Sequence, residues 1–228
     1  MIQKILYLGL ISAFLFIVTA CSGQGMTDLA VQQTQVAIQQ TKVVVEQTQA
    51  ALSTSQPSSL VGDNLFRDDF DDGKADEWIP AMGTWNVVEG EYVCLGYDSR
   101  ALVGQDSWTD YIVTAKVKSG MSDDINAGVM GRVQDANNYY LALIYQGTAR
   151  IYLRTPNGWQ ELASVLYSSV NGKWYKVGLE FQGTKIKMYI DDVLVVTAED
   201  AVILKGKIGL DCSQSESYFD DVNVTAIK

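Results

Sequence analysis

Six aspartates near the two ends of an aromatic-rich stretch are the first residues with types and spacing suited to chemistry. Asp68, Asp69, Asp71 and Asp72 stand in RDDFDD, and Asp220 and Asp221 in FDDV. Hard carboxylate oxygens without histidine suit calcium. Alternation separates the six: an inward Phe70 leaves Asp69 and Asp71 outward, while an inward Phe219 leaves Asp220 outward and turns Asp221 in, where a carboxylate needs a partner. The competing reading is an acidic, solvated edge that discourages sheet-to-sheet pairing.

The chain has no histidine. Ser-His-Asp and Cys-His catalysis, His-ligated zinc and an imidazole base are therefore excluded. Paired carboxylates remain as a glycosidase acid and nucleophile, which need separations of about 5 Å in retaining enzymes and roughly 6.5–9.5 Å in inverting ones. Glu161 and Glu180 lack an alternate-residue acidic partner, and Glu89 with Glu91 flanks a turn. No catalytic set is assigned.

Aromatic rings offer a flat apolar platform to the C–H face of a sugar. In NYYLALIYQ, Tyr139, Leu141, Leu143 and Tyr145 share one face; in ARIYLR, Ile151 and Leu153 face inward, so Arg150, Tyr152 and Arg154 point away. With Arg132 and Trp159 at the TPNGW turn, these form the expected ligand-binding patch: Arg132, Arg150, Tyr152, Arg154 and Trp159. Trp78, Trp85, Trp108 and Trp174 read as core.

These residues must be positioned by a chain of 228 residues with a formal net charge of −10. Such acidity argues against nucleic acid, which needs a dense basic face. Residues 1–20 have a basic start and an apolar run, a signal segment. It runs into VTAC, Val18 to Cys21, which resembles the lipobox of bacterial lipoproteins; that resemblance implies lipidation of Cys21 and a membrane-anchored, extracytoplasmic protein. Residues 21–52 carry a heptad pattern in AVQQTQV, AIQQTKV and VVEQTQA, read as a short stalk that is either helical, pairing weakly as a coiled-coil homo-oligomer, or disordered. Residues 53–62 form a Ser-rich linker.

From 63 to 228 the period becomes two. YIVTAKVK alternates, and similar runs recur between turn signals such as QDANN, TPNG and IDDV. More than ten strands and no helix predict an all-β, antiparallel two-sheet sandwich. Cys94 and Cys212 lie in two of those strands. They can form a disulfide if the strands are neighbours, or remain two buried thiols.

FRDDFDDGKADEW with GTWNVVEGEY, RVQDANNYY, NGKWYKVGLEFQGTKIKMYIDDV, and GKIGL with YFDDVNV resemble the concanavalin A-like jelly-roll superfamily, including laminin-G-like domains and domains related to 3-keto-disaccharide hydrolases. The resemblance covers essentially all of 63–228. It implies a jelly roll whose first and last strands pair, bringing DDFDD beside FDDV, with a structural calcium on Asp69, Asp71, Asp220 and Asp221. It also implies a sugar site on a concave face. The Glu-x-Asp-x-x-Glu strand of the family 16 type of glucanase is absent. RxxDxxN, formed by Arg132, Asp135 and Asn138, resembles a family turn motif that holds a hairpin. The expected function is a surface lipoprotein whose domain binds a glycan or another cell-surface ligand without catalysis. A glycoside-type hydrolase and a structural or protein-interaction module are the alternatives.

Overall fold

The computed structural model describes residues 62–120, 126–170, 172–213 and 216–228. The signal segment, Cys21, the heptad stalk and nearly all of the linker lie outside them.

Thirteen strands follow one another: β1 (Asn64–Asp68), β2 (Ile79–Val88), β3 (Glu91–Val103), β4 (Tyr111–Ser119), β5 (Ala127–Asp135), β6 (Asn138–Tyr145), β7 (Thr148–Thr155), β8 (Gly158–Leu166), β9 (Tyr175–Gln182), β10 (Lys185–Ile190), β11 (Val193–Glu199), β12 (Lys207–Cys212) and β13 (Ser217–Ala226). All pairings are antiparallel, in the order β11-β10-β9-β4-β13-β3-β12-β5-β6-β7-β8, with β1 on β13 and β2 on β3.

The long β3 turns this ladder into two layers. Tyr92–Cys94 pair with β13, whereas Ser99–Val103 pair with β12. Between them the chain kinks outward through Gly96 and Asp98, both at positive φ. The half ending in β9, β10 and β11 then packs over the half containing β5, β6, β7 and β8. This is the all-β jelly-roll sandwich expected from the alternating pattern.

That alternation builds the core. Tyr111, Val113, Ala115 and Val117 of β4 are fully buried against Tyr140, Ala142 and Ile144 of β6 and Val177, Leu179 and Phe181 of β9. Each buried large apolar side chain contributes about 1.5–3 kcal/mol relative to exposure. Cys94 and Cys212, both fully buried, are joined in a disulfide with Cα atoms 6.6 Å apart. The pair ties β3 to β12 across the kink.

The first and last strands do meet, with Asp68 opposite Val222. The acidic residues that this brings near one another have other partners. Asp68 accepts hydrogen bonds from Trp78 Nε1 (2.9 Å) and the Phe70 amide (3.0 Å), and Asp69 accepts one from Arg67 (3.2 Å). Asp71 is exposed. Asp221 does not face inward as alternation predicts. Strand β13 bulges between Asp220 and Asn223, with Asp221 at positive φ, so two successive carboxylates emerge on one side and both pair with Lys116. Among the described residues no three acidic, histidine or cysteine side chains converge to hold a metal, and Asp69, Asp71, Asp220 and Asp221 do not form such a group.

Candidate functional site

Strand β6 is buried on both faces. Its inner residues enter the core. Its outer residues Tyr139, Leu141 and Leu143 join Met130 and Val133 of β5 in a second apolar cluster, flanked by Leu102, Tyr145 and Tyr152. An outer face can stay dry only if walls rise beside it, and those walls make a groove.

The groove has a volume of about 380 Å³ and is lined by Tyr97, Asp98, Asn126, Leu141, Leu143, Tyr145, Tyr152, Trp159, Asp211 and Ser213. Leu141 and Leu143 form its floor. One wall is aromatic: Trp159, 48% exposed at the start of β8, meets Tyr139 edge-on at 5.8 Å and Tyr152 at 5.7 Å between ring centroids. The opposite wall is the β3 kink, where Tyr97 is 79% exposed and Asp98 stands beside it.

Beneath that wall lies a buried polar knot. Arg100 donates from Nε to the Tyr139 hydroxyl (2.8 Å) and to Asp211 Oδ2 (3.1 Å), and from Nη2 to Asp98 Oδ1. Its Nη1 rests against Met82 Sδ at 2.8 Å. Burial pushes the Asp211 carboxyl up to about 6, opposed by Arg100 and reinforced by Asp98. The Arg100 guanidinium moves up instead, because Asp211, Tyr139 and Asp98 together outweigh its own desolvation.

Of the five residues expected to bind ligand, Tyr152 and Trp159 line the groove. Arg150 and Arg154 do not line it but contact residues that do. Arg150 donates to the Tyr152 hydroxyl (2.8 Å) and Glu161 (3.1 Å), and Arg154 lies 5.2 Å from the centre of the Trp159 ring. Arg132 is elsewhere, 1% exposed inside the protein. A break in the β5–β6 register places it at positive φ, and its guanidinium donates to Thr109 O (3.1 Å), Ile203 O (3.2 Å) and Asp110 Oδ1 (3.2 Å). Desolvation lowers its basicity, and Phe181 covers it at 4.7 Å. Arg132 is therefore a structural tie and not a ligand contact. Asp135 holds the adjacent hairpin by accepting from the Asn137 amide (2.7 Å) and Asn138 Nδ2 (2.8 Å).

Sequence reasoning missed Tyr97, Asp98, Asn126, Asp211 and Ser213. One signal was present: in KIGLDC, inward Ile208, Leu210 and Cys212 leave Asp211 on the other face, under the groove. Asp98 gave none, because its position depends on the kink. Trp174, read as core, is half-buried and outside both apolar clusters, with Lys118 Nζ 4.3 Å from its ring centre.

The acids considered for catalysis are dispersed. Glu91 pairs with Lys118, Glu161 with Arg150, and Glu180 with Lys187 and the Tyr189 hydroxyl.

A two-layer jelly roll with an aromatic groove on one face is the class of protein this architecture defines. Residues 65–225 match the 3-keto-alpha-glucoside-1,2-lyase-like domain, and the chain belongs to that family. Among solved structures it is similar to the carbohydrate binding module CBM66 from Bacillus subtilis, with a TM-score of 0.61 and 23% identity over 66% of this chain and 96% of that one. It is also similar to domain 4 of AbnA, a GH43 extracellular arabinanase from Geobacillus stearothermophilus, with a TM-score of 0.55 and 13% identity over 73% of this chain and 93% of that one. These likenesses concern the fold. In sequence it is 27% identical to the levanase of Bacillus subtilis (strain 168) over 150 residues, 64% of this chain and 22% of the levanase.

Proposed function

We propose that the domain binds a glycan in this groove without chemically altering it, and that the protein is displayed outside the cytoplasm by a lipid on Cys21. One observation carries the binding reading. Exposed Trp159 and Tyr97 face a groove whose floor is apolar and whose wall offers the Asp98 carboxylate as an acceptor, a combination that receives a sugar's C–H face and its hydroxyls together. Relatives that include a carbohydrate binding module and an extracellular arabinanase domain support both a glycan ligand and an extracytoplasmic location.

The test is a glycan array probed with the full-length chain, followed by titration calorimetry on each hit. Trp159→Ala should weaken binding at least tenfold while leaving the melting temperature nearly unchanged. Unaltered affinity in that variant would remove the groove from the reading.

A second reading, a lyase or hydrolase, is favoured by the family match and by Asp211, a carboxyl at the groove with an acidity shifted toward neutral pH. Against it, Asp211 is 1% exposed, and both Asp98 and Asp211 are held by Arg100. Turnover of a disaccharide, lost in Asp211→Asn, would establish the catalytic alternative.

A further inference from the structure

We infer that the groove selects sugars carrying no acid group: neutral saccharides are accepted, and those bearing a uronate, sialate or sulfate are rejected. This rests on the glycan-binding reading and adds the chemistry of the ligand. Among the described residues, those lining the groove include two acids, Asp98 and Asp211, and neither lysine nor arginine. An anion entering it would lose water and find no cation to replace it.

The guanidinium that contacts both groove acids is already committed. Arg100 is 3% exposed, and its donors point to Asp211, Tyr139, Asp98 and the Met82 sulfur. Arg150 is engaged by the Tyr152 hydroxyl and Glu161, and Arg154 lies against Trp159. Neither lines the groove.

Asp98 decides the sign. Its side chain is 57% exposed, and only its Oδ1 is occupied by Arg100 among the described residues. Oδ2 therefore remains to accept from a hydroxyl and to repel a carboxylate. Asp98 also holds φ at 56°, a left-handed conformation uncommon outside glycine, at the kink where β3 passes from one sheet to the other. The bond from Arg100 then holds the carboxylate at the groove wall. Asp98 and Asp211 share the single Arg100 cation, so the three groups together carry a net negative charge when both acids are ionised.

The experiment takes each neutral oligosaccharide that the full-length chain binds and compares it with the same oligosaccharide oxidised to the 6-carboxylate. Affinity should fall at least tenfold on oxidation at low salt, and the gap should shrink as salt screens the charge. Asp98→Asn should narrow the gap at least threefold, which separates charge repulsion from loss of the C6 hydroxyl. Equal or tighter binding of the acidic form, still lost in Trp159→Ala, would overturn the inference and leave the glycan-binding reading standing. A gap unmoved by both salt and Asp98→Asn would also overturn it. Absence of saccharide binding of either kind would overturn both.

Discussion

Arg100 and Asp211 form a buried ion pair, Nε to Oδ2 at 3.1 Å, beneath the aromatic groove. They come from β3 and β12, directly opposite each other in the ladder. The pair joins the kinked wall to the floor, because the same guanidinium also holds Asp98. The groove's two acids, Asp98 and Asp211, thus depend on one cation for their placement.

Stability should carry a pH signature from Asp211. Its carboxyl titrates near 6 in the folded protein, above an ordinary aspartate, so the folded state holds the proton more tightly. The resulting stabilisation is fully present below about pH 4 and is lost as pH rises through 6, amounting to roughly 3 kcal/mol. Urea unfolding from pH 3.5 to 8 should show this fall in the native chain relative to Asp211→Asn, in which the difference is removed. Parallel curves would contradict it.

The disulfide closes a large loop, since Cys94 and Cys212 are 118 residues apart. Replacing both cysteines by alanine should cost about 3–5 kcal/mol. Chemical denaturation measures the loss. Because Asp211 precedes Cys212, and Asp98 follows Cys94 on β3, the same variant should also weaken groove binding.

Gly206 lies at φ +150°, and a Cβ there would sit 2.5 Å from the Arg132 carbonyl carbon and the Val133 oxygen. Both neighbours are backbone and cannot move aside cheaply. Gly206→Ala should lower stability by roughly 2–3 kcal/mol. Arg132→Met should have a comparable effect, by leaving the Thr109 and Ile203 carbonyls without their donor. Neither substitution touches the groove, so at temperatures where the variants remain folded, glycan affinity should be preserved.

Calcium has a direct test. Asp220 and Asp221 are both engaged by Lys116, and Asp69 by Arg67. Calcium in excess over chelator should leave the melting temperature within about 1 °C, the shift a few tenths of a kcal/mol would produce. A rise of several degrees would restore the calcium site expected from the sequence.

The two sheets were legible because period-two alternation is a local property. Val113, Ala115 and Val117 face the core for the same reason that Leu141 and Leu143 face away from it. The paired halves of the site were only partly legible. Tyr152 and Trp159 follow from strand facing, but Arg132 and Asp221 were misplaced because each sits at a bulge with positive φ, where an extra residue reverses the alternation.

The sequence by itself determined the alternating strands, the exclusion of histidine chemistry and the aromatic wall on β7 and β8. All of these depend on residue type and short-range spacing. Only the tertiary structure decided that Asp98 and Asp211, more than a hundred positions apart, share one guanidinium. That juxtaposition depends on a kink in β3 and on β12 returning to lie beside it. Long-range strand pairing is set by the global packing of the two layers, and no local pattern around either aspartate encodes the other.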